Sequence, residues 1–284
     1  MAAAKRHSSP RLFGIPATKA PVVAILRRGP SDWCQVGRWD LERDIYEPGA
    51  WLKGTIYPQK CDLSPDGRWL AYSAMKHPAD WAAGSIYEAI SRVPWLTALA
   101  AWEAGTTYTR GIHFTERPGT TNVGAPDVGD ATPALARYGI ELTRPIQFAV
   151  ERRRGWAETA DTAPRESGGP WDEKRRVTME KAKPGTADDG TVLRVTGRYA
   201  GFRASPDWYE PADYSIAAAD GSIRLLEGVQ WADWDAGGRL LVATTVGRLQ
   251  IRVLDGTTSQ TVFDHDLTAL VPELQPPPAI ASEW

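Results

Sequence analysis

A single short turn constrains this chain more than any other feature. Residues 60–76 read KCDLSPDGRWLAYSAMK, with Ser64, Pro65, Asp66 and Gly67 standing between two strand-like runs. Pro65 presets its own φ and Gly67 accepts a positive φ without steric penalty, so the chain reverses there. Beyond the turn, Trp69, Ala71 and Ser73 alternate with Leu70 and Tyr72 at the strand period of two. The stretch predicts a β-hairpin. Residues 233–243 can be laid over residues 62–72: both have a leading Asp, a Gly-Arg step (Gly67-Arg68, Gly238-Arg239), a Leu two residues later (Leu70, Leu241) and then a small apolar residue (Ala71, Val242). A repeated hairpin cannot cover its own faces. The all-β architectures that stack such units are propellers and related arrays.

The rest of the chain carries similar signals. Residues 12–15, 22–26 and 33–41 read as strands, and 44–54 as an irregular connection with Trp51 as an aromatic anchor. Residues 95–103 contain good helix formers but follow Pro94, and context favours a strand. Residues 117–137 and 159–169 are long polar loops, and the charged runs on either side of the second loop, Arg152 to Trp156 and Trp171 to Lys183, suggest the arms of a projecting hairpin. Residues 192–199 alternate. Asp220-Gly221 turns a compact hairpin within 214–226, and residues 233–255 repeat the pattern. The expected organisation is a disordered leader over 1–10, one domain over 11–271 and a Pro-rich tail over 272–284.

Composition narrows the partners. A formal charge of −2 gives no global field for nucleic acid or an anionic membrane. No apolar run reaches signal-peptide length, or the roughly 20 residues of a membrane span, so a cytoplasmic protein is expected. Cys34 and Cys61 are too few for a disulfide framework and read as small core residues. Thirteen tryptophans are many for this length, and most are expected in the core.

The Ser64–Arg68 turn followed by Leu70-Ala71-Tyr72 resembles the SPDG strand pair of TolB-like and WD40-like bacterial β-propellers, and residues 233–243 look like a degenerate blade of that kind. The resemblance implies about four strands per blade around a central channel. At about 40 to 55 residues per blade, the length allows five to seven units. A longer likeness runs from Leu26 to Phe114, where the phrases LRRGPSDW, EPGAWLKGTIYPQKCDLSPDG and ISRVPWLTALAAWEAG resemble an uncharacterised group of bacterial proteins with no assigned activity. Thr106 to Arg110 replace a glycine-rich stretch of that group.

No motif fixes a reaction. His7, His77, His113 and His265 have no second ligand at metal spacing, and no metal or cofactor is expected. Asp264-His265-Asp266 reads as a surface turn. Ser73-x-x-Lys76 matches an acyl-transfer pattern, but it follows a strand where that chemistry needs a helix start. Asp62, Asp66, Glu88, Glu103 and Glu116 lie near predicted strand ends, where any two could meet across a cleft. Arg152 to Arg154 and Lys174 to Arg176, with Trp156 and Trp171, could follow a phosphate backbone, yet interspersed acids favour cross-strand ion pairs.

The sequence therefore predicts an all-β, propeller-like array of short antiparallel sheets, with about five blades. Its expected role is that of a non-catalytic interaction or scaffold module binding another protein or its own copy, without nucleic acid or membrane. The candidate binding residues are Trp51, Trp69, Trp95, Trp102, Arg152, Arg154, Trp156 and Trp171. The competing expectation is a hydrolase or small-ligand binder using acids in a central channel.

Overall fold

The described residues form five antiparallel sheets that follow one another in sequence order. The computed structural model describes residues 9–76, 83–106, 111–121, 132–143, 147–159, 176–185, 189–198, 212–255 and 258–284. Sheet I is a meander of β1 (Arg11–Pro16), β2 (Val22–Arg28), β3 (Trp33–Asp40) and β4 (Ile45–Lys53). Sheet II holds β5 (Thr55–Ile56), β6 (Asp62–Leu63), β7 (Trp69–Met75), β8 (Ile86–Arg92) and β9 (Ala98–Glu103). Sheet III pairs β10 (Gly111–Phe114) with β11 (Ile140–Thr143), with α1 (Thr132–Arg137) between them in sequence. One turn of helix, α2 (Ala149–Arg152), leads to sheet IV: β12 (Ala157–Glu158), β13 (Arg176–Ala182), β14 (Val192–Arg198), β15 (Ala212–Ala217) and β16 (Ile223–Leu225). Sheet V is a second four-stranded meander, β17 (Val229–Trp234), β18 (Leu240–Thr244), β19 (Arg248–Asp255) and β20 (Thr258–Asp266).

The sheets lie against one another, which explains why strands such as WLAY and LLVA are apolar on both faces. In β7, Leu70 and Tyr72 enter a core shared with sheets I and V, while Trp69 and Ala71 enter a core shared with sheet III. In β18, Leu241 and Ala243 face that first core, while Leu240 and Val242 face sheet IV. Strand period two thus deals alternate side chains to two neighbours. The last sheet also meets the first, because β17 packs on β1 and Gln230 Nε2 donates to the Pro10 carbonyl at 3.3 Å.

The two similar hairpins have the same turn but not the same length. Gly67 N–H bonds Ser64 O and Gly238 N–H bonds Asp235 O, with positive φ at both glycines (70° and 76°). The ladder then closes from Ser64 to Trp69 in one and from Asp235 to Arg239 in the other. Asp62 consequently faces Ala71, whereas Asp233 faces Leu241. The sequence overlay is one residue out of register beyond the turn.

Other expectations need correction. Residues 45–53 are strand β4, and its register shift opposite Gln35–Gly37 accommodates Pro48 and Gly49, as a bulge on an edge strand can. Asp264-His265-Asp266 ends a strand and is not a turn. Arg152 to Arg154 do not form a hairpin arm: Phe148, at φ 57°, turns the chain into α2 and sends it back into the body. The predicted tip of that hairpin, Trp171 included, lies outside the described residues, as do residues 1–8 of the leader and 122–131 of the first long loop. Residues 267–284 form no strand. Ala281 is nonetheless fully buried, and the Trp284 ring stands 6.1 Å from that of Trp69.

Candidate functional site

All five sheets and α2 contribute to one buried polar cluster. Its sequence origin is the leading Asp of each repeated hairpin. In both copies the carboxylate accepts the next residue's N–H: Asp62 Oδ1 from Leu63 at 3.0 Å, and Asp233 Oδ1 from Trp234 at 2.7 Å. Each then takes a cation from elsewhere in the chain. Arg154 Nη2 donates to Asp62 Oδ1 at 2.7 Å, and Lys181 Nζ to Asp233 Oδ1 at 2.6 Å. The second oxygens are also bound: Asp62 Oδ2 accepts Phe114 N–H from sheet III at 3.0 Å, and Asp233 Oδ2 accepts the Trp156 indole N–H at 3.4 Å.

Arg154 ties the cluster across the molecule. Its Nε donates to Pro16 O of sheet I at 2.7 Å and its Nη1 to Val150 O at 3.3 Å. Arg153 Nη2 donates to Cys61 O at 3.1 Å. Arg153 Nε makes no hydrogen bond and lies 3.7 Å from Asp62 Oδ2, whereas the buried Arg154–Asp62 pair is tolerated because it regains inside the protein partners that it lost in water.

Glu151, on α2, is the least compensated acid. Gln59 Nε2 donates to its Oε2 at 3.3 Å, while Gln59 Oε1 accepts Val150 N–H. Burial, reinforced by the Asp233 charge, pushes the Glu151 carboxyl up to about 7, against the pull of the Gln59 hydrogen bond and of Arg154. Tyr214 feels both Glu151 and Asp233, and its phenol is held well above its ordinary value, chiefly by burial. His113 moves the other way, down to about 4, because burial and the Arg153 charge disfavour the imidazolium. Glu141 lies 3.4 Å from His113 Nε2 but is itself paired with Arg117, which blunts its pull. Burial raises the thiols of Cys34 and Cys61 to about 11 and about 12, so neither is a ready nucleophile.

The residues singled out in the sequence fall in several places. Trp51, Trp69, Trp102 and Trp156 are buried. Trp51 lies under the Arg27 guanidinium at 4.8 Å, and the Trp102 indole donates to Glu88 Oε2 at 2.8 Å. Trp95 is half-buried, and Arg152 pairs with Glu158 at 2.7 Å near the surface. Of that set, Arg154 and Trp156 belong to the central cluster. Of the acids, Asp62 joins it, Glu88 is buried elsewhere in sheet II, Asp66 pairs with Arg137 and Glu116 with an exposed Lys19. Ser73 is buried within β7 and does not itself begin a helix. Arg248 bridges Asp264 and Asp266 on one face of β20 while His265 stacks on Phe263 on the other. Glu151, Gln59 and Lys181 were not singled out. Asp233 was not chosen as a candidate either, although the sequence marks it as the leading Asp of the second hairpin.

The cluster can hold sheets in register and store one proton near neutrality. The described residues contain no His/Cys/Asp/Glu group suited to a metal ion, and no helix among them is long and apolar enough to cross a membrane. An open cavity of about 500 Å³ lies instead between sheets IV and V, lined in part by Tyr214, Leu225, Leu226, Val229, Arg11 and Glu227.

No protein-family model matches the chain, and no curated protein matches it. A solved structure, the uncharacterized protein lmo1340 from Listeria monocytogenes EGD-e, aligns over 94% of this chain and 86% of its own, with 12% identity and a TM-score of 0.31. Similarity at that level carries no argument about fold or function.

Proposed function

We propose that the five sheets are the blades of a small β-propeller whose centre is closed by the buried charge cluster, and that the protein is a non-catalytic binding module for another protein. What carries this reading is how the central acids are used. Both oxygens of Asp62 and of Asp233 already accept from backbone or side-chain donors of the protein itself, and both residues are buried, 4% and 3% exposed, so neither presents a carboxylate to an open cleft. A channel hydrolase needs the opposite, acids that meet an open cleft. The sequential sheets and the contact of β17 with β1 support the ring.

The partner's place is the outer edge of sheet IV. The β16 strand ends that sheet, and Ile223 and Leu225 are 60% and 55% exposed. Leu226 N–H and Ser222 C=O bond inward to Tyr214 and Ala218, so strand alternation turns the N–H and C=O of Ile223 and Leu225 outward. An extended segment of a partner, apolar at alternate positions, would add to this edge as a further strand, beside the cavity of sheets IV and V.

The test compares wild type with an Ile223→Lys/Leu225→Lys double variant, using affinity capture followed by sizing. The reading expects a discrete heteromeric complex that the variant loses while keeping its melting temperature. Equal capture by both proteins, or a wild type that stays monomeric and alone, overturns it.

A further inference from the structure

One buried cation plays no part in the central cluster. Arg27, on β2, is 2% exposed, yet the only hydrogen bond of its side chain among the described residues runs from Nη2 to Leu270 O at 3.0 Å. Its Nε and Nη1 are buried without a partner, and no carboxylate among the described residues pairs with it. The Trp51 ring, at 4.8 Å, offers a quadrupole but no counter-charge. An unneutralised guanidinium in the interior is strongly unfavourable.

The surroundings add donors. Arg27 faces Gln35 across the β2–β3 ladder, and Gln35 faces Trp51 across the β3–β4 ladder. Gly37 is the next β3 residue on that face, and the Tyr46 phenol lies where a Gly37 side chain would be, so its hydroxyl points along the same face. That hydroxyl is buried without a partner. So is the indole N–H of Trp39, which follows Gly37 on this face and stands opposite Tyr46. Against these donors stands one unbonded acceptor, Gln35 Oε1, whose amide is fixed by the donation of Nε2 to Gly49 O at 3.3 Å. Sheet V covers the face, with Phe263 on Trp39 and His265 on Tyr46.

We propose that this face of sheet I, at Arg27 and Tyr46, binds one chloride-sized monovalent anion between sheets I and V. Charge selects the class: one guanidinium balances one negative charge, whereas sulfate would leave a second charge buried. Hydrogen bonding selects the same class, because a halide accepts from several N–H and O–H groups and needs no donor of its own. The electrostatic coupling between Arg27 and Tyr46 agrees with their closeness. Bound chloride would also fix the 267–270 segment, whose Leu270 carbonyl shares the guanidinium.

The test follows thermal unfolding while sodium gluconate is replaced by sodium chloride at constant ionic strength. The wild type is expected to gain about 2 °C per tenfold rise in chloride above half-saturation, whereas sulfate, which stabilises proteins generally by exclusion from their surface, is expected to act alike on wild type and on Arg27→Met. Arg27→Met is expected to be flat in chloride. Tyr46→Phe, which keeps the packing, is expected to shift half-saturation up by about tenfold, the loss of one hydrogen bond to a charged partner. It stands in for Arg27→Met if that variant does not fold. Crystals grown in bromide should give an anomalous peak beside the Arg27 guanidinium. A flat wild type, an equal chloride slope in Arg27→Met, an unshifted Tyr46→Phe, a sulfate response that Arg27→Met lacks, or no bromide peak overturns the assignment.

Discussion

Replacing Arg154 by Met tests whether the central cluster holds the sheets together. The guanidinium donates to Asp62, Pro16 O and Val150 O, and the side chains of Arg154 and Asp62 are 4% and 6% exposed. Solvent screening is therefore small. The bond to Asp62 contributes about 1.5–3 kcal/mol as a charge-assisted pair, and the two to carbonyls about 1 kcal/mol each. Met keeps the apolar stem, which returns about 1 kcal/mol, but Asp62 is left as a buried carboxylate with only backbone donors and Arg153 at 3.7 Å. The expected net loss is about 3–5 kcal/mol, or about 6–10 °C in Tm for a chain of this length. Urea unfolding followed by tryptophan fluorescence reads the loss as a lower midpoint at unchanged slope. Adding Asp62→Asn to Arg154→Met removes the stranded charge and should recover about 2 kcal/mol. A single variant within about 1 kcal/mol of wild type would refute the reasoning, since an exposed ion pair costs no more than that.

Three further outcomes are expected. With its carboxyl at about 7, folded Glu151 holds a proton that the unfolded chain has lost above its ordinary value, so its contribution falls as pH rises from about 4.5 and is gone above about 7, a change of about 3 kcal/mol. His113, lowered to about 4, gives the opposite slope between about 4 and 6.5. The two offset each other in wild type; Glu151→Gln should leave stability rising with pH across that window in chemical unfolding, and an unchanged profile counts against the buried carboxyl. Gly14→Ala would drive a Cβ into the ring of the buried Trp231 and should cost about 1–3 kcal/mol by calorimetry, so a neutral result contradicts that contact. Trp284→Ala removes the ring that meets Trp69 edge-on at 6.1 Å and should lower stability by about 1–2 kcal/mol, with faster proteolysis of residues 267–284; no change in either would show that the C-terminal segment is not docked.

Much of the fold was legible because its signals are local. A positive φ at Gly67 is a property of four residues, and alternation in β3 or β14 is a property of the strand itself. Residues 45–53 were misread because Pro48 and Gly49 look like a connection until the β3 partner reveals the bulge between them. The register slip between the two hairpins was hidden for a similar reason: the turns match residue for residue, and only the hydrogen bonds closing each ladder show that one is shorter.

The site was far less legible. Arg152 to Arg154, next to Trp156, read as a solvated arm, because a run of charges prefers water unless partners are supplied. Those partners come from far along the chain: Asp62 lies 92 residues from Arg154, and Pro16 lies 138. By itself the sequence determined where the chain turns and which stretches become strands, since backbone sterics and side-chain period act over a few residues. Only the tertiary structure decided which charges are buried, that burial raises the Glu151 carboxyl and that Arg27 lies without a counter-charge among the described residues, because the free energy of a buried ion depends on groups that folding alone brings within hydrogen-bond reach.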